Sequence, residues 1–237
     1  MKKRIWELDA LRGLAILVMI AVHFIYDLVE LFRVWELKDP ALFYFAQDWG
    51  GVIFLVLSGI CVTLGSDSVK RGLTVLGCGL VVSAVTVGMY LMKLTDRSII
   101  IYFGVLHCLG ICMLLWSVFR KCPAWLLAVL GGAMVAGGLY LVEHIRSTSI
   151  WLIPLGVPSY GFSSSDYFPL LPNLGYFLLG AALGRTVYRK KESLLPRVNA
   201  QMPVLRFLRR CGQLSLPIYL LHQPVLAALI ALGLLLL

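Results

Sequence analysis

Arg12, His23 and Asp27 fall on one helical stripe near the N-terminus, with Asp9 close to the same face. They lie in RIWELDALRGLAILVMIAVHFIYDL, Arg4 to Leu28. At 100° per residue, the eleven steps from Arg12 to His23 end about 20° from the starting direction. Asp27 is at i+4 from His23, within side-chain reach. No Asp, Glu, Lys or Arg interrupts Gly13 to Tyr26. His23 therefore stands at membrane depth, where an ionisable group is costly and marks a functional site by default. A carboxylate on one imidazole nitrogen fixes the tautomer and frees the other nitrogen as base or nucleophile. His23 and Asp27 are thus the candidate catalytic pair. The planar guanidinium of Arg12 suits bidentate phosphate recognition, and Asp9 at i−3 is its alternative, structural partner.

Two further histidines are intramembrane: His107 in IYFGVLHCLG and His222 in SLPIYLLHQP. Each is read either as a functional group or as a hydrogen-bonded residue joining helices. Ser215, Tyr219 and His222 share one face of the last span. His144, beside Glu143 at an outer helix end, is expected to be solvated. Asp48 opens the second span, and Asp166 with Tyr167 opens the sixth, ahead of Pro169, Pro172 and Asn173. That irregular start predicts backbone covered by protein or by a water-filled cavity, and the cavity is expected to open outward there. The six cysteines form neither a disulfide framework nor a zinc pattern, and no metal is expected. Cys108 and Cys112 share a helix face and are read as buried packing.

The elements that must hold these groups are membrane helices. Of 237 residues, 60% are hydrophobic and 14% charged, whereas soluble domains are about a quarter charged. Predicted spans are Leu11–Glu30, Leu42–Leu64, Gly72–Met92, Ser98–Phe119, Pro123–Val142, Tyr167–Gly184 and Leu214–Leu237, each near the ~20 residues that cross ~30 Å. The fold class is all-α, a polytopic bundle of about seven transmembrane helices in a single domain over residues 1–237, with the N-terminus cytoplasmic. The opening MKKR and apolar run are read as a retained first span, because Glu7, Asp9 and Arg12 interrupt a signal-peptide core. Ser147 to Ser165 is uncharged but broken by Pro154 and Pro158, and is read as an external loop or re-entrant segment. Seven spans place sixteen Lys and Arg inside and five outside, with eight in the loop Arg185 to Arg210. An eighth span would turn that loop outward, against the positive-inside rule. The net charge of +9 is then a matter of membrane sidedness, and no nucleic-acid partner is expected. Gly131, Gly132, Gly137, Gly138, Gly180 and Gly184 are read as close helix contacts.

LDALRGLAILVMIAVH (Leu8 to His23) resembles the opening of the transmembrane acyltransferases. FGVLHCLG (Phe103 to Gly110), DYFPLLPNLGYFLLGAALG (Asp166 to Gly184) and SLPIYLLHQP (Ser215 to Pro224) extend that likeness towards the heparan-α-glucosaminide N-acetyltransferase-like family. The resemblance implies transfer of an acetyl or short acyl group from cytosolic acetyl-CoA or another acyl-CoA. The acceptor would be a sugar or glycan hydroxyl or amine on the far side of the membrane. Arg12 matches the family's arginine in the first span. His23 matches the catalytic histidine of the related acyltransferase-3 branch. The glucosaminide enzymes carry asparagine there and a histidine further on, whereas Glu30 to Pro40 holds none here.

On this reading His23, oriented by Asp27, deprotonates the acceptor or forms an acyl-histidine. Arg12, Lys70, Arg71, Arg120 and Lys121 are candidates for the phosphates of the acyl-CoA, the last four being read alternatively as positive-inside charge alone. His107 either meets its thioester or packs the neighbourhood of His23, and Asp48, Asp166 and Tyr167 stand on the acceptor side. Asp9, Tyr219 and His222 are further buried polar groups. The expected partners are acyl-CoA, a glycan or small sugar and membrane lipids, with a homodimer left open. The expected location is the bacterial cytoplasmic membrane. A proton-coupled transporter or flippase is the rival, since intramembrane His, Asp and Arg suit it as well. A non-catalytic membrane scaffold, with the histidines as helix glue, is the third reading.

Overall fold

The computed structural model describes residues 4–37 and 39–236, and at Asp48 the backbone alone. Helices α1 (Trp6–Tyr26), α2 (Ala41–Leu64), α3 (Ser68–Leu91), α4 (Val105–Phe119), α5 (Ala124–His144), α6 (Leu170–Thr186), α7 (Pro203–Gln213) and α8 (Ser215–Leu235) follow in order. A π-helical turn, Asp27–Leu31, extends α1, and 3-10 turns cover Arg97–Ile99 and Ile150–Leu155. Among the described residues, the only β pairing is two isolated bridges, Phe103 with Tyr167 and Ser147 with Ser159. The protein is all-helical and integral to the membrane. Among the described residues, five helices are long and apolar enough to cross it: α1 with its π turn, α2, α3, α5 and α8. Their 21 to 26 residues reach ~32–39 Å at 1.5 Å per residue.

The predicted boundaries shift where backbone groups find other partners. The span expected from Ser98 becomes a helix only at Val105, because Ile100 to Gly104 runs extended between α3 and the segment before α6. There Phe168 N–H donates to Phe103 O at 2.9 Å. The span expected from Tyr167 begins at Leu170, and Leu171 keeps an extended conformation (φ −106°, ψ 127°), since Pro172 disfavours helix in the residue before it. Ser147 to Ser165 contains only the turn at Ile150–Leu155, closed by Gly156 at φ 108°, and is a loop. The stretch Arg185 to Arg210, expected to be a plain loop, contains most of α7. Pro203 at its start suits a helix N-terminus, and PVLRFLRRCGQ sets its apolar and arginine residues on opposite faces.

The chain forms two compact units, Met1–Phe54 with Lys191–Leu237 and Leu55–Lys190. In the first, α7 lies antiparallel on the start of α1. A side chain at Gly13 would meet the carbonyl of Leu208, and one at Gly212 that of Asp9. In the second, α5 and α6 close on each other at Gly131 and Gly175, and Gly138 meets Pro172. Helix α6 also packs its Gly180 against Val56 and its Gly184 against Ile60. Gly132 and Gly137 instead face open space, which corrects their reading as contacts. They lie off the face that carries Gly131 and Gly138.

Candidate functional site

The ionisable stripe of α1 faces α8. Arg12 Nη2 donates to Ser215 Oγ at 2.9 Å. The rings of His23 and His222 meet edge to face with centroids 4.9 Å apart. Asp27 Oδ1 accepts from Gln223 Nε2 at 2.7 Å. Contact positions rise together along both helices, so α1 and α8 run parallel. The expected pairing of Asp27 with His23 does not form. Asp27 is fully buried, and the side-chain amide of Gln223, on the opposing helix, takes its carboxylate. Nor does Asp9 pair with Arg12. It accepts from Gln213 Nε2 at 3.2 Å and lies 3.9 Å from Arg4, while Arg12 reaches across to α8.

Backbone carbonyls set the tautomers in this seam. His23 Nδ1 lies 2.9 Å from Met19 O, and His222 Nδ1 lies 2.5 Å from Tyr219 O. A carbonyl only accepts, so Nδ1 carries the hydrogen in both rings and each neutral ring keeps its lone pair on Nε2. The role expected of Asp27, fixing the tautomer of His23, thus falls to Met19. Tyr219 also sets its ring 5.4 Å from that of His222. Four buried polar atoms of the seam have no hydrogen-bond partner: Arg12 Nε, Asp27 Oδ2, His222 Nε2 and Gln223 Oε1. Such atoms are rare in folded proteins and ask for an explanation.

His107, in the second unit, has the opposite tautomer. Gly104 N–H donates to its Nδ1 at 3.2 Å, so its hydrogen is on Nε2, 3.3 Å from Ser83 Oγ. The Ser83 hydroxyl passes its own hydrogen to Ile101 O at 2.5 Å. Both ring nitrogens are spent on protein, and the ring is buried. The structure thus gives both nitrogens of His107 partners within the protein, where a thioester contact was expected. Asp166 Oδ2 accepts from Val105 N–H at 3.1 Å and so caps α4. Tyr167 O–H donates to Ile153 O at 2.7 Å, and burial pushes its phenol up to about 12. These two residues, expected to meet an acceptor, hold a loop to a helix start instead. The Asp48 side chain lies outside the described residues.

Of the basic residues expected at phosphates, Lys70 and Arg120 line one open depression of about 610 Å3 with Asp67, Ser68, Val69, Leu73 and Thr74. Arg71 is not part of it and lies against Gly65. Two charged residues escaped the sequence reading. Arg185 donates to the carbonyls of Cys122 and Arg120 and stacks over Trp116 at 5.2 Å, closing the end of α4. Buried Glu7 accepts from Ser193 Oγ at 2.9 Å and Leu194 N–H at 2.7 Å, fixing the segment before α7. Its signal was a carboxylate just ahead of an apolar run. Gln223 was also missed, although it is the amide beside His222 in a membrane span.

Residues 4–224 match the model of the family described as heparan-alpha-glucosaminide N-acetyltransferase, catalytic. No curated protein and no solved structure gives a match.

Proposed function

The chain belongs to the heparan-alpha-glucosaminide N-acetyltransferase catalytic family, and on that premise we propose that it moves an acetyl or short acyl group from cytosolic acyl-CoA to a sugar or glycan acceptor across the bacterial cytoplasmic membrane. Family membership makes it an acyltransferase with an acetyl donor. The observation that carries the finer reading is the α1–α8 seam, where His23 keeps a lone pair on Nε2 because Met19 O holds its Nδ1 hydrogen. Arg12 lies eleven residues before His23, ~16 Å along the helix, a separation that suits an extended pantetheine arm. In this reading Arg12 meets a phosphate, and His23 Nε2 takes the acceptor's proton as it attacks the thioester.

The donor side is the side of the arginines of α7, where the positive-inside rule puts the cytoplasm. The parallel course of α1 and α8 agrees with an odd number of crossings. The test is thiol release by the purified full chain given acetyl-CoA and glucosamine or a glycan extract. Turnover that requires both substrates supports the reading. No thiol release with any short acyl-CoA, together with proton-coupled solute uptake in vesicles, would overturn it in favour of a transporter.

A further inference from the structure

His222 lacks the bonding of a residue that merely joins helices. A histidine that glues two helices spends a nitrogen across the interface. His222 spends Nδ1 on Tyr219 of its own helix. Its other nitrogen, Nε2, is buried without a partner, a condition that proteins rarely tolerate without a use. The ring nonetheless sits edge to face against His23, centroids 4.9 Å apart. Both rings carry their fixed hydrogen on Nδ1, so each neutral ring of the pair keeps its lone pair on Nε2. His107 shows the alternative in the same chain, with both nitrogens satisfied by protein.

We propose that His222 is a second catalytic residue of the acyl transfer, receiving through Nε2 the proton that His23 takes from the acceptor and handing it to the departing thiolate. The proposal rests on the acyltransferase reading above. The step balances as follows. The acceptor O–H or N–H proton moves to His23 Nε2 as the acceptor atom bonds to the thioester carbon. The C–S bond breaks with its electron pair on sulfur. The proton passes from His23 Nε2 to His222 Nε2 and then to sulfur, which leaves as the free thiol, and both rings return to their starting tautomer. Met19 O and Tyr219 O hold the Nδ1 hydrogens throughout, so neither ring has to turn.

Two variants separate this role from packing. His222→Asn keeps a donor for Tyr219 O and removes the Nε2 lone pair. His222→Phe keeps the ring against His23 and removes both nitrogens. Thiol release from acetyl-CoA with glucosamine as probe acceptor is measured on the purified full chain, alongside the stabilisation against heat that acetyl-CoA confers. Each variant is expected to lower kcat by about 100-fold and to leave KM for acetyl-CoA and the heat stabilisation unchanged. If either variant keeps kcat within about threefold of wild type, far below a general-base effect, the proposal is overturned. Loss of rate together with loss of acetyl-CoA stabilisation in both variants assigns His222 to the fold and overturns it as well. A wild-type protein that releases no thiol removes the acyltransferase reading itself, and the proposal with it. Should one variant fail to fold, the other carries the test.

Discussion

The two histidine environments of this protein differ in where the ring hydrogen is held. In the α1–α8 seam, backbone carbonyls of Met19 and Tyr219 take the Nδ1 hydrogens of His23 and His222, and the lone pairs point away from the helix backbone. In the knot of α3, α4 and the loop before α6, a backbone N–H takes the Nδ1 lone pair of His107, and Ser83 receives its Nε2 hydrogen. The same side chain, half-buried at His23 and His222 and buried at His107, keeps a lone pair on Nε2 in one place and has both nitrogens hydrogen-bonded in the other. A buried histidine is therefore judged by its tautomer and by its unspent nitrogen rather than by its depth.

The sharpest way to break the comparison is His23→Asn. Asparagine keeps an N–H for Met19 O and lacks the Nε2 lone pair. Thiol release is expected to fall by about 10²–10⁴-fold with the melting transition in detergent unchanged. Activity near that of wild type would move the base elsewhere. A smaller effect is expected from Arg12→Gln. Losing charge-assisted bonds worth about 1.5–3 kcal/mol should raise KM for acetyl-CoA by about tenfold or more. Lys70→Gln, in an open depression, should change KM by less than about threefold, since exposed charges are screened. Equal effects of the two would remove the special place of Arg12.

His107→Ala reverses the pattern. It leaves Gly104 N–H without its acceptor, at about 1–3 kcal/mol for a buried unpaired group, and adds a cavity where the ring was. The melting temperature should drop by several degrees while the rate per folded molecule stays within about threefold of wild type, well short of losing a catalytic base. A large loss of rate at unchanged stability would return His107 to the chemistry.

The legible part of this molecule was its hydrophobic pattern and the angular spacing of its polar residues. Runs of apolar residues located α1, α2, α3, α5 and α8 to within a few residues, because a helix in lipid must satisfy its own backbone. The stripe through Arg12, His23 and Asp27 was also legible, since it depends only on 3.6 residues per turn. The partners across the seam were not. Whether Asp27 meets His23 or Gln223 depends on the register of α1 against α8, which close contacts elsewhere, such as Gly13 with Leu208, help to set. The partner of Asp166 was not legible for a similar reason. A carboxylate before a helix looks the same in sequence whether it meets a ligand or caps a different helix, α4, sixty-one residues away.

The smallest expected effect falls on Tyr167, in the spent region. Its phenol O–H donates to Ile153 O at 2.7 Å, and Tyr167→Phe removes that bond with little change of shape. The cost should be about 1 kcal/mol, read as a small drop in melting temperature with thiol release unchanged. The alkaline limb supplies the more specific signature. Burial raises the phenol to about 12 in the folded chain, against about 10 for a free tyrosine. Between those values the unfolded chain has lost the proton and the folded chain has kept it, so stability falls as pH rises. Below pH ~10 both states hold the proton and the contribution is fully present. Wild type should therefore lose stability above pH ~10 more steeply than Tyr167→Phe, and its advantage of about 1 kcal/mol should be gone, with the melting curves crossing, before pH ~12. Parallel curves across that range would mean that the phenol is not desolvated in the folded chain, and the packing around Tyr167 would be looser than the structure shows.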